Sequence, residues 1–280
     1  MKTLFRYSVW DSLLLAITVF QLGLNLWLAY TWDSRPWSIN LLFYPLCLFL
    51  FWYNGLVATH NFVHTPWFNS RVLNNLYAAI NSANLLSPIT HYRNIHFNHH
   101  QYGDDRQDEN GQTQDHSSTF AYGKNGQREN VISYCALAII RDNLLSSFQQ
   151  CKKLSEASQI GIESGMCLLA ITTYFLLSWK FLVFFVIPIF YFGWCLVYLA
   201  NYYEHFGAVP ENRYANSTSH YGYLYNALCC NEGYHQEHHL RPNIHWRKRP
   251  QVYQDFREAL DREDRVILRY PPPFGFIESM

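Results

Sequence analysis

Long apolar stretches alternate with strongly polar ones along the 280 residues of this chain, and the alternation predicts its main elements. Four apolar blocks run from about 8 to 30, 39 to 59, 164 to 179 and 181 to 203. Each is close to the length of a membrane-spanning helix and nearly free of charge. The first follows Lys2 and Arg6, as a secretory signal would. Its length, the lack of a small-residue cleavage site and the second block close behind it predict a retained span instead. Asp11 falls near its end, where a carboxylate is expected to reach the headgroups. Trp32 and Trp37 bracket the first connector, as interfacial aromatics do. Only Trp179 and Lys180 separate the last two blocks, and Pro188 predicts a kink in the fourth.

The stretches 60–163 and 204–280 are polar, with amphipathic helices expected over 71–86 and 131–150 and a solvated Asp/Gln/Asn/Gly-rich loop between 103 and 130. The second block continues without a break into His60 and His64. A helix from Ser38 to His64 would reach about 40 Å, beyond a hydrocarbon core of about 30 Å. The fold expected is therefore all-α and integral to the membrane: four transmembrane helices with a helical cap on one side, in a single domain over 1–280. Of the 21 Lys and Arg, only Arg35 and Lys180 lie in the two short connectors. The positive-inside rule then places both termini and the cap in the cytoplasm.

Composition narrows the chemistry. With 21 acidic residues against 21 basic ones the formal charge is zero, and no nucleic-acid partner is suggested. The mean hydropathy of -0.15 looks soluble only because it averages over the blocks. The seven Cys contain no CxxC pair, and Cys47, Cys167 and Cys195 lie inside apolar blocks, so inert thiols are expected.

Histidine carries the functional signal. His235, His238 and His239 stand at i, i+3 and i+4, and so do His96, His99 and His100; on a helix each triplet shares one face. His60 and His64 are an i, i+4 pair, and Asn201 and His205 are another at the end of the fourth block. Four ligands close the shell of one zinc, so nine imidazoles at these spacings require at least two metal ions. Without thiolates or carboxylates at matching spacing, the set suits a redox metal such as iron. His91, His116, His220 and His245 lack such spacing and are read as ordinary core or surface residues. A metal transporter would place ligands near mid-bilayer, and none of the nine falls there.

The motifs HNFVH at 60–64, HFNHH at 96–100 and HQEHH at 235–239, set between paired spans, resemble the three histidine boxes of the membrane fatty acid desaturase–hydroxylase superfamily. The resemblance covers nearly the whole chain. It implies a di-iron site held by His60, His64, His96, His99, His100, His205, His235, His238 and His239, with Asn201 contacting one iron through a water. It also implies O2 as co-substrate and a lipid or acyl chain as substrate, with desaturation the expected outcome. A hydroxylase, an alkene-forming decarboxylase and a carotenoid oxygenase are the rival outcomes. The wording NYYEHFG at 201–207 resembles the membrane alkane hydroxylases. Box 1 has three intervening residues where acyl-CoA desaturases often have four. No HPGG motif of cytochrome b5 type is fused, so a separate donor (ferredoxin, rubredoxin or cytochrome b5 type) is expected. Asp104, Asp105, Glu204, Glu232 and Glu237 neighbour the boxes and are candidates to orient imidazole N–H groups. Arg241, Arg247, Lys248 and Arg249 form a candidate docking patch for an acidic donor or for lipid headgroups. Phe62, Trp67, Tyr92 and Phe97 are candidate walls of a lipid channel.

Overall fold

Residues 3–142, 144–145, 149 and 156–278 are described by a computed structural model. Among them the regular elements are all helical, and extended backbone pairs only at two isolated bridges, Phe5 with Phe68 and Ser219 with Ile267. Four helices are long and apolar enough to cross a membrane: Asp11–Ser34, Trp37–His64, Ala157–Leu177 and Trp179–His205. The chain divides into two compact units, residues 1–94 with 143–194, and residues 95–142 with 195–280.

In the first unit the boundaries depart from the hydropathy pattern where polar side chains find partners. The third apolar helix starts at Ala157, before the predicted edge, and takes in Glu163. That carboxylate is fully buried and accepts hydrogen bonds from the Thr90 amide (2.7 Å), the Thr90 hydroxyl (3.0 Å) and Gln159 (2.8 Å). A carboxyl group so held is satisfied inside protein and does not end the span. Asp11 likewise does not reach towards headgroups; it is fully buried in the first turn of its helix.

Two spans contain a π-turn, at Asn54–Thr59 and at Leu182–Val186. The second lies just before Pro188. Proline has no N–H to give the carbonyl four residues back, that of Phe184. The Tyr44 hydroxyl donates to that carbonyl instead, so a neighbouring span repairs the break. Helix Arg71–Leu85, capped by Ser70, packs along Ala157–Leu177. Phe62, Trp67 and Tyr77 form a closed aromatic cluster with centroids 4.5–5.4 Å apart. Phe62 and Trp67 are therefore filled core and not channel walls. Tyr92 packs on Trp194, with ring centroids 6.1 Å apart.

In the second unit, helix Val131–Arg141 is capped by the Asn130 side chain. Most of the predicted continuation to 150 lies outside the described residues. The segment 103–130 is less solvated than its composition suggests: Asp104, Asp115, Thr119 and Phe120 are all buried. Phe97 is largely exposed. The six described cysteines are free thiols.

Candidate metal centre

Three elements of the second unit present seven of the nine histidines. Helix Ile89–Tyr102 carries His96, His99 and His100 on one face. It ends where Gly103 enters the left-handed region (φ 62°) and donates its amide to the His99 carbonyl. Helix Ile187–His205 ends on His205 itself, whose carbonyl is capped by Arg128 (2.8 Å). The short helix His235–Leu240 carries the third box. Gly233 precedes it, where a Cβ would lie 2.2 Å from the His220 carbonyl oxygen, so only glycine fits.

The ligand atoms of His99, His205, His235 and His239 all lie within 4.8 Å of one another. His235 Nε2 is 3.3 Å from His205 Nε2 and 3.1 Å from His239 Nε2. His96, His100 and His238 form a second convergence in the same unit. Their ligand atoms also lie within 4.8 Å of one another, and the Nε2 atoms of His96 and His100 are 3.0 Å apart. In the first unit His60 and His64 share one face, with ring centroids 5.2 Å apart.

Tautomers follow from the outer partners. His205 Nδ1 is 3.0 Å from the Asn216 carbonyl oxygen, which can only accept, so Nδ1 carries the proton and Nε2 a lone pair. His99 Nδ1 is 2.7 Å from Asp115 Oδ2, which fixes the same tautomer, and its Nε2 is buried without a hydrogen-bond partner. Lone pairs gathered in a dry site repel one another until a cation sits among them. A metal that binds neutral imidazoles through Nε2 fits this donor set. Burial disfavours a charged His99, but the Asp115 carboxylate and its hydrogen bond outweigh burial and raise the pKa. Asp115 is held well below the usual carboxylate range despite its own burial, by His99 and by amide donors.

Of the acids singled out in the sequence, Glu204 approaches an imidazole, 3.7 Å from His235 Nδ1, and its Oε1 is buried without a hydrogen-bond partner. Asp104 instead accepts from Thr119 (2.6 and 3.0 Å) and pairs with Arg128 (3.3 Å). Burial lifts its pKa to about 6 against those partners. Asp105 accepts the amides of Gln114 and Asp115, holding the loop that presents Asp115. Glu237 accepts from Ser219 (2.9 Å) and Tyr221 (2.6 Å), and burial raises its pKa despite them. Glu232 pairs with Arg249 at 3.0 Å. That pair removes Arg249 from the expected surface patch, since it is 1 % exposed. Arg241, Arg247 and Lys248 are exposed. Asn201 donates to the Tyr134 hydroxyl (2.7 Å), which donates to the Ser117 carbonyl. His116 is exposed, His220 Nδ1 meets the Leu268 carbonyl, and burial lowers His91 to about 4.

Asp115, Arg128, Asn216 and Tyr134 were not picked out by spacing. The clue available was the group of aspartates, Asp104, Asp105, Asp108 and Asp115, that follows a histidine box.

No curated protein and no solved structure matches the chain. A profile described as Fatty acid desaturase matches residues 36–271, more than four-fifths of the sequence. Four apolar helices and clustered imidazoles agree with that match. The chain is therefore an integral membrane protein of the fatty acid desaturase family, whose members are membrane oxidoreductases acting on acyl chains.

Proposed function

We propose that this protein is an O2-dependent di-iron enzyme that introduces a double bond into a fatty acyl or related lipid chain. The observation that carries the reading is the pair of imidazoles His99 and His205, whose lone pairs are turned by Asp115 and the Asn216 carbonyl towards His235 and His239. These four would hold one iron. His96, His100 and His238, joined by His60 and His64 of the second span, would hold the other. Asn201 would act through a water, with Tyr134 fixing its amide.

When bound, the irons would supply reduction of O2 and removal of hydrogen from an unactivated C–H bond. The chain's own part is orientation: Asp115 and the Asn216 carbonyl engage His99 and His205 at Nδ1, which leaves Nε2 as the atom aimed at a metal, and Glu204 lies behind His235. Burial of His99, His205, His235 and His238 limits the access of bulk water to that part of the set, whereas His96, His100 and His239 are half-buried. Desaturation and hydroxylation begin with the same hydrogen removal, and placement of the chain decides between them. Boxes 2 and 3 both follow HxxHH, which favours desaturation, whereas NYYEHFG at 201–207 favours hydroxylation. Arg241, Arg247 and Lys248 would receive a separate acidic electron donor on the cytoplasmic side.

The test is expression in a host lacking desaturases, fed acyl chains deuterated at adjacent carbons, with His238→Ala as control. An olefin that has lost one deuterium from each carbon is expected. An alcohol carrying oxygen from O2 would reassign the reaction to hydroxylation, and identical lipid profiles for both proteins would overturn the reading.

A further inference from the structure

The connectors that join the first span to the second and the third to the fourth border an open cleft of about 390 Å³, within the range of small-molecule sites. Trp32, Asp33, Arg35, Trp37, Asn40, Lys180 and Phe184 line it. These connectors hold just two of the chain's 21 cations, and the two are treated differently.

Lys180 pairs with Asp33 at 2.9 Å, with both side chains 51 % exposed. An exposed pair of this kind contributes little and exchanges readily with another partner. Arg35 is locked in place. Its Nε donates to Asn40 Oδ1 (2.9 Å) and its Nη2 to the Leu28 carbonyl (3.3 Å). Its guanidinium plane lies over Trp27 and Phe43, 4.5 and 5.4 Å from the ring centroids. All of these partners are neutral. Among the described residues no carboxylate pairs with Arg35, and its Nη1 is buried without a hydrogen-bond partner. Burial pulls its pKa down with no neighbouring anion opposing. A rigid guanidinium with one fork arm unused and no ion pair of its own, the nearby Asp33 being held by Lys180, is prepared for an oxyanion.

We propose that this cleft binds one phospholipid by its headgroup, with the phosphate at Arg35 Nη1 and Lys180. The tryptophans Trp32 and Trp37 are the side chains expected at headgroup depth, and Phe184 and Leu42, both exposed, offer an apolar path for the acyl chains. The ligand chemistry is a phosphate ester. A lipid source is favoured because the cleft sits on the connectors of apolar, membrane-length helices. The site is independent of the metal centre and of the reaction assigned to it.

Native mass spectrometry of the full-length protein in detergent tests this. Its arms are dipalmitoyl phosphatidylglycerol, dipalmitoylglycerol with the same chains and no phosphate, and inorganic phosphate. The wild type should retain one phosphatidylglycerol at least tenfold more strongly than dipalmitoylglycerol. Arg35→Gln should remove that preference. Asn40→Asp offers a carboxylate to Arg35 in place and should weaken the lipid about tenfold while leaving the guanidinium present, which covers the case of an Arg35 variant that fails to fold. Equal retention of both lipids, or phosphatidylglycerol binding unchanged in Asn40→Asp, overturns the proposal. Tight binding of inorganic phosphate alone would also overturn the lipid assignment.

Discussion

Two buried polar networks in this molecule look alike in composition and differ in what they leave over. In the first unit Asn54 donates to Gln21 (2.8 Å) and Asn81 (2.7 Å), and Asn81 donates to Thr59 (2.8 Å) and Tyr77 (3.3 Å). The Thr18 hydroxyl meets Tyr77 at 3.2 Å, and Asn84 donates to the Thr18 carbonyl. Every member is neutral, and apart from Asn84 Oδ1, which is buried without a hydrogen-bond partner, the donors and acceptors answer one another, most of them from separate helices. In the second unit Asp115, Asn216 and Glu204 engage only the outer nitrogens of His99, His205 and His235. The inner nitrogens face each other. A network whose neutral members largely satisfy one another fastens helices; one completed only on its outer side is organised for something brought in from outside.

That contrast can be broken, most severely from the inside of the histidine network. His99→Ala should abolish turnover, by at least about 100-fold, and lower bound iron, whereas His116→Ala in the same unit should change neither. Iron analysis and lipid turnover on the purified proteins read both. Asp115→Asn keeps the shape but removes the charge that fixes His99. It should weaken metal binding about 10–100-fold, measured by competition with a chelator, with the helical circular dichroism retained.

A cut in the neutral network should act on stability alone. Asn81→Leu strips partners from Asn54 and Tyr77 at about 1–3 kcal/mol per unsatisfied group, lowering the melting temperature while iron per folded chain stays constant. The smallest effect is expected at Asp142, whose carboxyl accepts from Tyr198 and is raised to about 6 by burial. A carboxyl raised on folding binds its proton more tightly in the folded chain. Its contribution favours folding at low pH and is lost as pH rises from about 4 to 6. Asp142→Asn should flatten that part of the stability profile. An unchanged slope in thermal unfolding between pH 4 and 7 would remove Asp142 as its source.

Hydropathy made the four spans legible, and helical spacing singled out the histidines, because both signals are local. What escaped depends on partners distant in the sequence. Glu163 lies inside an apolar helix because Thr90 meets it from 73 residues away. Asp115 sits in a stretch whose Gln, Asn and Gly content resembles an ordinary loop; the aspartates that follow the histidine box hint at a partner, but none of them is singled out as the residue 16 positions from His99 that will share its proton. Arg249 closes a basic run typical of a surface, yet Glu232 draws it inside. Phe62 and Trp67 could equally have lined a channel or filled a core until Tyr77 was seen between them.

The π-turn at 54–59 gives the second span an unusual relation to its own length. A π-turn holds one residue more than an α-helical turn, so it shifts everything after it by about 100° around the axis. His60 and His64 follow at once. Deleting a single residue from 54–59 would leave a more regular helix, equally apolar and still long enough to cross. It would also swing both imidazoles about a quarter-turn away from their present direction. The irregularity thus acts as a phase setting: the apolar stripe that precedes it and the histidine face that follows it can each be aimed without the other.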